Sequence, residues 1–434
     1  MSAPVDQYGF GSSRSKVAPA FDATGAEANP SGKAVPVPGE RVLTRPALVL
    51  GILSTIGPVA IDMYLPAFPA IAESLHTNVG RVQLSLVSFF AALMVGQLIY
   101  GPISDAIGRK RPLYAGLGLF VVASIGCSMA QSVEALIVLR FVQGLGACAG
   151  MVLSRAIVRD LHTGRDAVRL ISLMMLVLSV SPMLAPLGGS LLVEFASWRI
   201  IFFVIAAGAL FCAWLMWRSL PETHPPEKRT RGGLRSALAA YAVLVTDLRF
   251  LGAALVVGCT QGVILSYLAG SPFAFIEIYG VPPVLYSAIF AANAVGFIGG
   301  AQLNSLFISR IGLERLIRIA TSALAAASVL LLGLTLTDMA PLPVFVGLLF
   351  LCFSTLGFIM PTTTVFALES HGARSGAASS LLGALQFGSG TIAGSLVSFF
   401  FDGTTLPMVA TLAGCGAGAG LMAAASLRRR KAAV

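Results

Sequence analysis

From Pro46 onward the chain repeats one pattern: an apolar stretch of about 20 residues, then a short polar turn. As a helix, with a rise of about 1.5 Å per residue, each stretch can cross a hydrocarbon core of about 30 Å. The pattern predicts twelve membrane spans, at about 46–70, 81–104, 111–130, 134–157, 168–193, 198–219, 250–276, 284–308, 314–336, 341–366, 375–400 and 405–427. Gly and Pro recur inside them, as membrane helices tolerate when neighbouring helices re-satisfy the backbone. Residues 1–45 break the pattern. They are rich in Gly, Ser, Pro and Ala, have no apolar period, and are expected to form a disordered tail. They lack the apolar core and cleavage site of a signal peptide. The polar, basic segment 220–249 divides the spans into two groups of six, over 46–219 and 250–427, and residues 428–434 form a basic tail.

Composition agrees with an all-α membrane protein. Of the 434 residues, 56% are hydrophobic and only 11% charged, against about 25% charged in a soluble domain. With a mean hydropathy of +0.86, this excludes a soluble enzyme, a soluble nucleic-acid-binding domain and a disordered chain. The net charge of +10 is a matter of location, since Lys and Arg collect in cytoplasmic loops. Of 29 basic residues, 26 fall in the tails, the central segment or alternate turns; only Arg81 and Arg199 fall on the other side, and Arg140 lies within a span. Both termini are therefore predicted on the cytoplasmic face. The six cysteines all lie in apolar runs without metal-ligand or disulfide spacing and read as small packing residues.

The two groups of spans carry a trace of duplication. The second span ends in Gly101-Pro102-Ile103-Ser104-Asp105-Ala106-Ile107-Gly108-Arg109-Lys110-Arg111, and the eighth in Ser305-Leu306-Phe307-Ile308-Ser309-Arg310-Ile311-Gly312-Leu313-Glu314-Arg315. The small residue, the turn glycine and a basic residue stay in register. With the layout of six spans and six, this favours a duplicated transporter with a central site between its halves.

Several motifs then become specific. Gly101-x-x-Ser104-Asp105-x-x-Gly108-Arg109-Lys110-Arg111 resembles the hallmark turn of the major facilitator superfamily. Leu139-Arg140-Phe141-Val142-Gln143-Gly144 resembles the fourth-span motif of its proton-coupled drug exporters. Asp62-Met63-Tyr64-Leu65-Pro66-Ala67-Phe68-Pro69 and Gly357-Phe358-Ile359-Met360-Pro361 resemble the bicyclomycin-resistance (Bcr/CflA) subfamily. The resemblance covers about 46–427. It implies the major facilitator fold, twelve spans in two six-helix bundles, in a bacterial inner membrane.

Asp62 lies about two-thirds of the way across the first span, where an unpaired ionised carboxylate is costly. A carboxyl there can load and release a proton as its surroundings change. The alternative is a helix-end carboxylate facing water. The resemblance implies a role for Asp62, with Tyr64 beside it, in coupling protons to substrate. Arg140 lies about two turns into the fourth span with Gln143 one turn on; it either snorkels to water or pairs with Asp62, a carbonyl or substrate. For Arg140 the resemblance implies proton translocation or tuning of the acid. Gly101, Asp105, Gly108, Arg109 and Arg111 are expected to form a gate in which the acid meets the start of the eleventh span near Ser375-Gly376. For the basic residues, setting topology alone is the competing reading. Pro182, Pro186 and Gly189 in the fifth span resemble an antiporter motif but depart from it, with Ala185 for its first glycine and Gly189-Ser190 where two glycines are expected. They are expected to make that helix pliable. In the second half the polar candidates are Gln261 and Asn293, with Tyr267, Gln302, Asn304 and Gln386.

No Walker A sequence, paired histidines or nucleophile elbow is present. The expectation is a monomeric carrier, not an enzyme, with no catalytic residue, metal, cofactor or nucleic-acid partner. It works with protons, a small-molecule substrate and the lipid bilayer. The apolar second half favours proton-driven export of small amphiphilic toxicants or antibiotics by alternating access. A specific proton-coupled carrier of a polar metabolite, a sugar or amino acid, is the alternative on the same fold.

Overall fold

The computed structural model describes residues 40–161, 164–229, 233–369, 371 and 375–428. The predicted tail 1–45 lies outside them up to residue 39, and so does 429–434. The first half holds α1 (Glu40–Asp62), α2 (Phe68–Ser74), α3 (Val79–Ile107), α4 (Lys110–Ser128), α5 (Val133–Leu161), α6 (Gly164–Phe195) and α7 (Trp198–Ser219). Then come α8 (Gly233–Thr246), α9 (Leu248–Pro272), α10 (Pro283–Ile311), α11 (Leu313–Leu336), α12 (Leu342–Leu368), α13 (Ser375–Phe399) and α14 (Leu406–Arg428). Among the described residues, twelve spans are long and apolar enough to cross a membrane.

The first span is α1 and α2 together. It breaks at the 3₁₀ turn Leu65–Ala67, where Pro66 and Pro69 withdraw two backbone donors that a continuous helix would use. α8 is the departure from expectation: the segment 220–249, read as a loop, contains a short helix. After Pro272 the chain continues α9 as the π-helical turn Phe273–Ile278.

Within the first half α3, α4, α5 and α7 pack on one another; within the second, α9 packs on α13 and α14, α11 on α14, and α10 on α12. Between the halves, α3 packs along α13, and α6 along α10. These pairings exchange equivalent helices, because α3 and α10 are each the second span of their half and α6 and α13 each the fifth. Duplication is visible in the backbone too. Gly108 ends α3 with φ +95° and its N–H bonds Ser104 O at 3.1 Å; Gly312 ends α10 with φ +80° and its N–H bonds Ile308 O at 2.9 Å. With ψ of 168° and 156°, both occupy a region open essentially to glycine alone. The glycine kept in register across the repeat is the one the turn requires.

Candidate functional site

The molecule has two dissimilar ends. At one, α1 finishes at Asp62; at the other lies the turn carrying Arg109. At the Asp62 end the halves are in contact. The 3₁₀ turn Leu65–Ala67 packs against α6, α9 and α10, and Ser287 Oγ on α10 lies 3.4 Å from Ser190 Oγ on α6, both buried. Gly189, one of the predicted hinge residues, faces the backbone of Met63 so closely that any Cβ would strike its carbonyl. Pro182 and Pro186 lie inside α6, which remains helical through both.

Asp62 is only 6% exposed and has no hydrogen-bond partner among the described residues. Arg140 is fully buried, and it does not snorkel. Nor does it pair with Asp62. Its Nη1 donates to Ala60 O on α1 at 3.2 Å and to Gln143 Oε1 at 2.6 Å. Its guanidinium lies between the rings of Tyr64 and Phe89, each 4.4 Å from the centroid, with Phe202 at 5.9 Å. Gln143 passes the chain on, its Nε2 donating to Ser124 Oγ at 2.7 Å, which donates to Phe120 O. Tyr64 is fixed by Ser85 across a 2.7 Å hydroxyl contact. The sequence makes this cage possible through Gly144: a Cβ there would come within 2.5 Å of Phe89 O, so only glycine lets α5 press against α3 where Phe89 covers the cation. Cation–π attraction to two desolvated rings replaces a carboxylate partner. Arg140 Nε and Nη2 nevertheless have no hydrogen-bond partner among the described residues, an arrangement that is costly inside a membrane without a task.

At the other end, Arg109 is 6% exposed and gathers two acids. Its Nη1 bonds Asp105 Oδ1 at 2.5 Å and its Nε bonds Asp160 Oδ2 of α5 at 2.8 Å. Burial alone would weaken the guanidinium charge, but the bonds to Asp160 and Asp105 outweigh it and raise its pKa. The segment after α7 completes the cluster. Glu222 accepts from the backbone N–H of Arg109 at 2.9 Å and of Lys110 at 3.1 Å, capping α4. Burial would raise the pKa of Glu222, but these N–H groups, with that of His224, hold it below the ordinary carboxylate value. Asp105 and the helix start Ser375-Gly376 stand on the wall of one cavity, without a hydrogen bond between them among the described residues. Gly101 faces Ser380 of α13, where a Cβ would lie 3.0 Å from the hydroxyl. Arg111 is exposed on the first turn of α4.

That cavity, of about 400 Å³, adjoins a deeper one of about 320 Å³ between the halves; Gln97, Arg155 and Ser379 line both. The deeper chamber is walled by Met151, Met174, Met175, Leu178 and Phe387, with Ser54, Thr364 and Gln386 as polar points. Both lie on the Arg109 side of the closed Asp62 end. Of the second-half candidates, Gln261 accepts from Gln386 Nε2 at 2.8 Å, and Asn293 donates to Tyr267 OH at 3.0 Å. Neither lines the chambers; Gln386 does. By the rule that gathers Lys and Arg in loops, Arg155 would belong with the surface charges. The signal that places it in the cavity is its spacing: Arg140, Gly144, Ala147, Met151 and Arg155 follow one another at three or four residues, one stripe of α5.

Comparison with known proteins agrees with this architecture. The model of the Major Facilitator Superfamily matches residues 50–398. The chain is 39% identical to an uncharacterized MFS-type transporter, YdgK, of Bacillus subtilis, over 88% of this chain and 94% of that protein. It is 33% identical to a bicyclomycin resistance protein homolog of Haemophilus influenzae, over 85% and 92%, and 31% identical to a chloramphenicol resistance protein of Pseudomonas aeruginosa, over 74% and 72%. Among solved structures, a partially occluded inward-open conformation of the xylose transporter XylE from E. coli superposes with a TM-score of 0.68, at 14% identity, over 88% of this chain and 97% of that one. At that identity the likeness is one of fold.

Proposed function

The chain belongs to the Major Facilitator Superfamily, and from that premise we propose that it is a proton-coupled exporter of small amphiphilic toxicants, of the bicyclomycin-resistance type. The observation that carries this reading is a buried Asp62, without a hydrogen-bond partner among the described residues, two residues past the Ala60 carbonyl that holds the aromatic-caged Arg140, at the end where the halves close. The relatives named for bicyclomycin and chloramphenicol resistance support it, as does a cavity walled by methionine and phenylalanine. Thioethers are polarizable and flexible, and suit ligands of varied shape.

In this reading the Arg109 end is cytoplasmic in a bacterial inner membrane, both termini lie on that side, and the described arrangement faces inward. Substrate enters the chambers between the halves. Parting of α6 from α10 then opens the opposite end and uncovers Asp62, which takes a proton from outside as substrate leaves. Arg140 fixes the local charge against which Asp62 exchanges that proton. Asp105 turns from Arg109 toward the start of α13 when the cytoplasmic side closes, and Pro182, Pro186 and Gly189 let α6 follow. The working unit is a monomer.

The test is substrate-triggered proton movement. Purified protein is placed in liposomes with an internal pH dye and challenged with amphiphilic antibiotics and polar metabolites, with Asp62→Asn alongside. Amphiphile-driven proton movement in the wild type, and none in Asp62→Asn, is the expected result. Movement driven only by a sugar or amino acid defeats the export reading, and undiminished movement in Asp62→Asn defeats the assignment of Asp62.

A further inference from the structure

The charge of the chambers narrows what they accept. Arg155 projects from α5 into the deeper chamber, is exposed there, and makes no ion pair among the described residues; its Nε bonds only the Met151 carbonyl of its own helix, at 3.2 Å. It is the one charged residue lining the deeper chamber among the described residues. In the outer chamber Arg159 is exposed beside it, again without an ion pair among the described residues. The acid there, Asp105, is already held by Arg109. Asp62 lies beyond the deeper chamber and does not line it. The rest of that wall offers neutral donors and acceptors from Gln97, Gln386, Ser54 and Thr364 on an apolar ground.

We infer that this cavity selects amphiphiles bearing an acidic group, a carboxylate or its equivalent, whose anion pairs with Arg155 while the apolar body lies against Met151, Met174, Met175 and Phe387. A guanidinium offers two parallel N–H donors to such a group. Between low-dielectric walls, it attracts an anion and repels a lipophilic cation more strongly than on an open surface. Export of an anion would also be assisted by an inside-negative membrane potential. The inference rests on the export reading for the direction of transport but not for the binding preference.

The experiment uses the full chain in nanodiscs and three probes on one scaffold: naphthaleneacetate, the neutral naphthaleneacetamide and the cationic naphthylethylamine. Their binding is measured by equilibrium dialysis. The acid is expected to bind about tenfold or more tightly than the amine, the strength of one charged hydrogen-bonded contact. Arg155→Met should erase that preference and Arg155→Lys retain much of it; Arg155→Gln replaces the methionine variant if that one does not fold. Equal or tighter binding of the amine, a preference that survives Arg155→Met, or no binding of the acid at millimolar concentration overturns the inference. Transport of the same probes separates the two claims. If the amine alone moves protons in liposomes, export stands and the charge selection falls. If the acid binds through Arg155 yet no probe moves protons, the selection stands and proton-coupled export of these compounds falls.

Discussion

Gly108 after α3 and Gly312 after α10 hold the same backbone turn, but the side chains around them differ. At Gly108, Arg109 is buried between Asp105 and Asp160, and Glu222 arrives from the far end of the first half to cap α4. At Gly312, the corresponding helix starts with Leu313, and Arg318 reaches Glu314 only at 4.0 Å with half its side chain in the open. The same contrast runs through the membrane. The first half buries Asp62 and Arg140; the second buries amides and hydroxyls that bond one another, Asn293 with Tyr267 and Thr362 with Asn304. The duplicated fold needs the glycine in both copies. The buried charges are kept in one.

The contrast can be broken most directly at Arg140. Arg140→Met should abolish substrate-driven proton movement in the liposome assay, whereas Asn293→Leu should leave it within a few-fold. Removal of the charge should not harm the fold. An apolar side chain of similar length in place of a poorly partnered buried charge is often neutral or stabilising, by about 1–4 kcal/mol, so the melting temperature of Arg140→Met should equal or exceed the wild type. A large fall would mean that the cage is chiefly structural.

The two turns give the next test. Arg109→Ala strands two acids and should destabilise by about 3 kcal/mol, without rescue by Lys, which cannot span Asp105 and Asp160 in a planar fork. Arg318→Ala should change stability by no more than about 0.5 kcal/mol. Thermal unfolding in detergent reads both, and equal effects would erase the distinction between the copies. A smaller difference is expected at the glycines. Both Gly108→Ala and Gly312→Ala should cost about 1–3 kcal/mol for the backbone conformation. Gly108→Ala should be the worse, because its Cβ would lie 2.9 Å from the Glu222 carboxylate while nothing lies within 4 Å of Gly312.

Glu222 should give the smallest effect, seen only against pH. Its folded pKa lies below the ordinary value of 4.5. Its contribution is therefore complete above about pH 4.5 and is lost as pH falls through the depressed folded value. Glu222→Gln should flatten that part of the stability profile below about pH 4.5 and leave the neutral region with a constant small deficit. An unchanged acid limb would mean that the cap contributes nothing.

Twelve spans and the repeat were legible because a membrane helix announces itself by length and hydropathy, and because a turn that only glycine can make leaves glycine in the sequence twice. The burial of Arg140 was half legible: its depth could be counted from the start of its span. The cage around it could not, since Phe89 and Phe202 come from helices whose faces carry no strong apolar period. Arg155 was hidden by its charge, which the loop rule claimed for the surface, although its place in the stripe with Arg140 and Met151 pointed inward. Asp160 and Glu222 gave no signal at all. Their role depends on the turn at Gly108, the end of α5 and the segment after α7 arriving at one place, which only the tertiary fold arranges.

The helix α8 bears on how such a chain is assembled. Tyr241 bonds the Leu98 carbonyl of α3 at 3.2 Å, and α8 packs against α3 and α13 alike. It is synthesised before α9. The leading segment of the second half therefore carries its own point of attachment to the first. Two polypeptides divided between His224 and Gly233 would each retain what they need: Glu222 capping its own half, and α8 docking the other. The join between the halves is fastened to both of them and is not merely a tether.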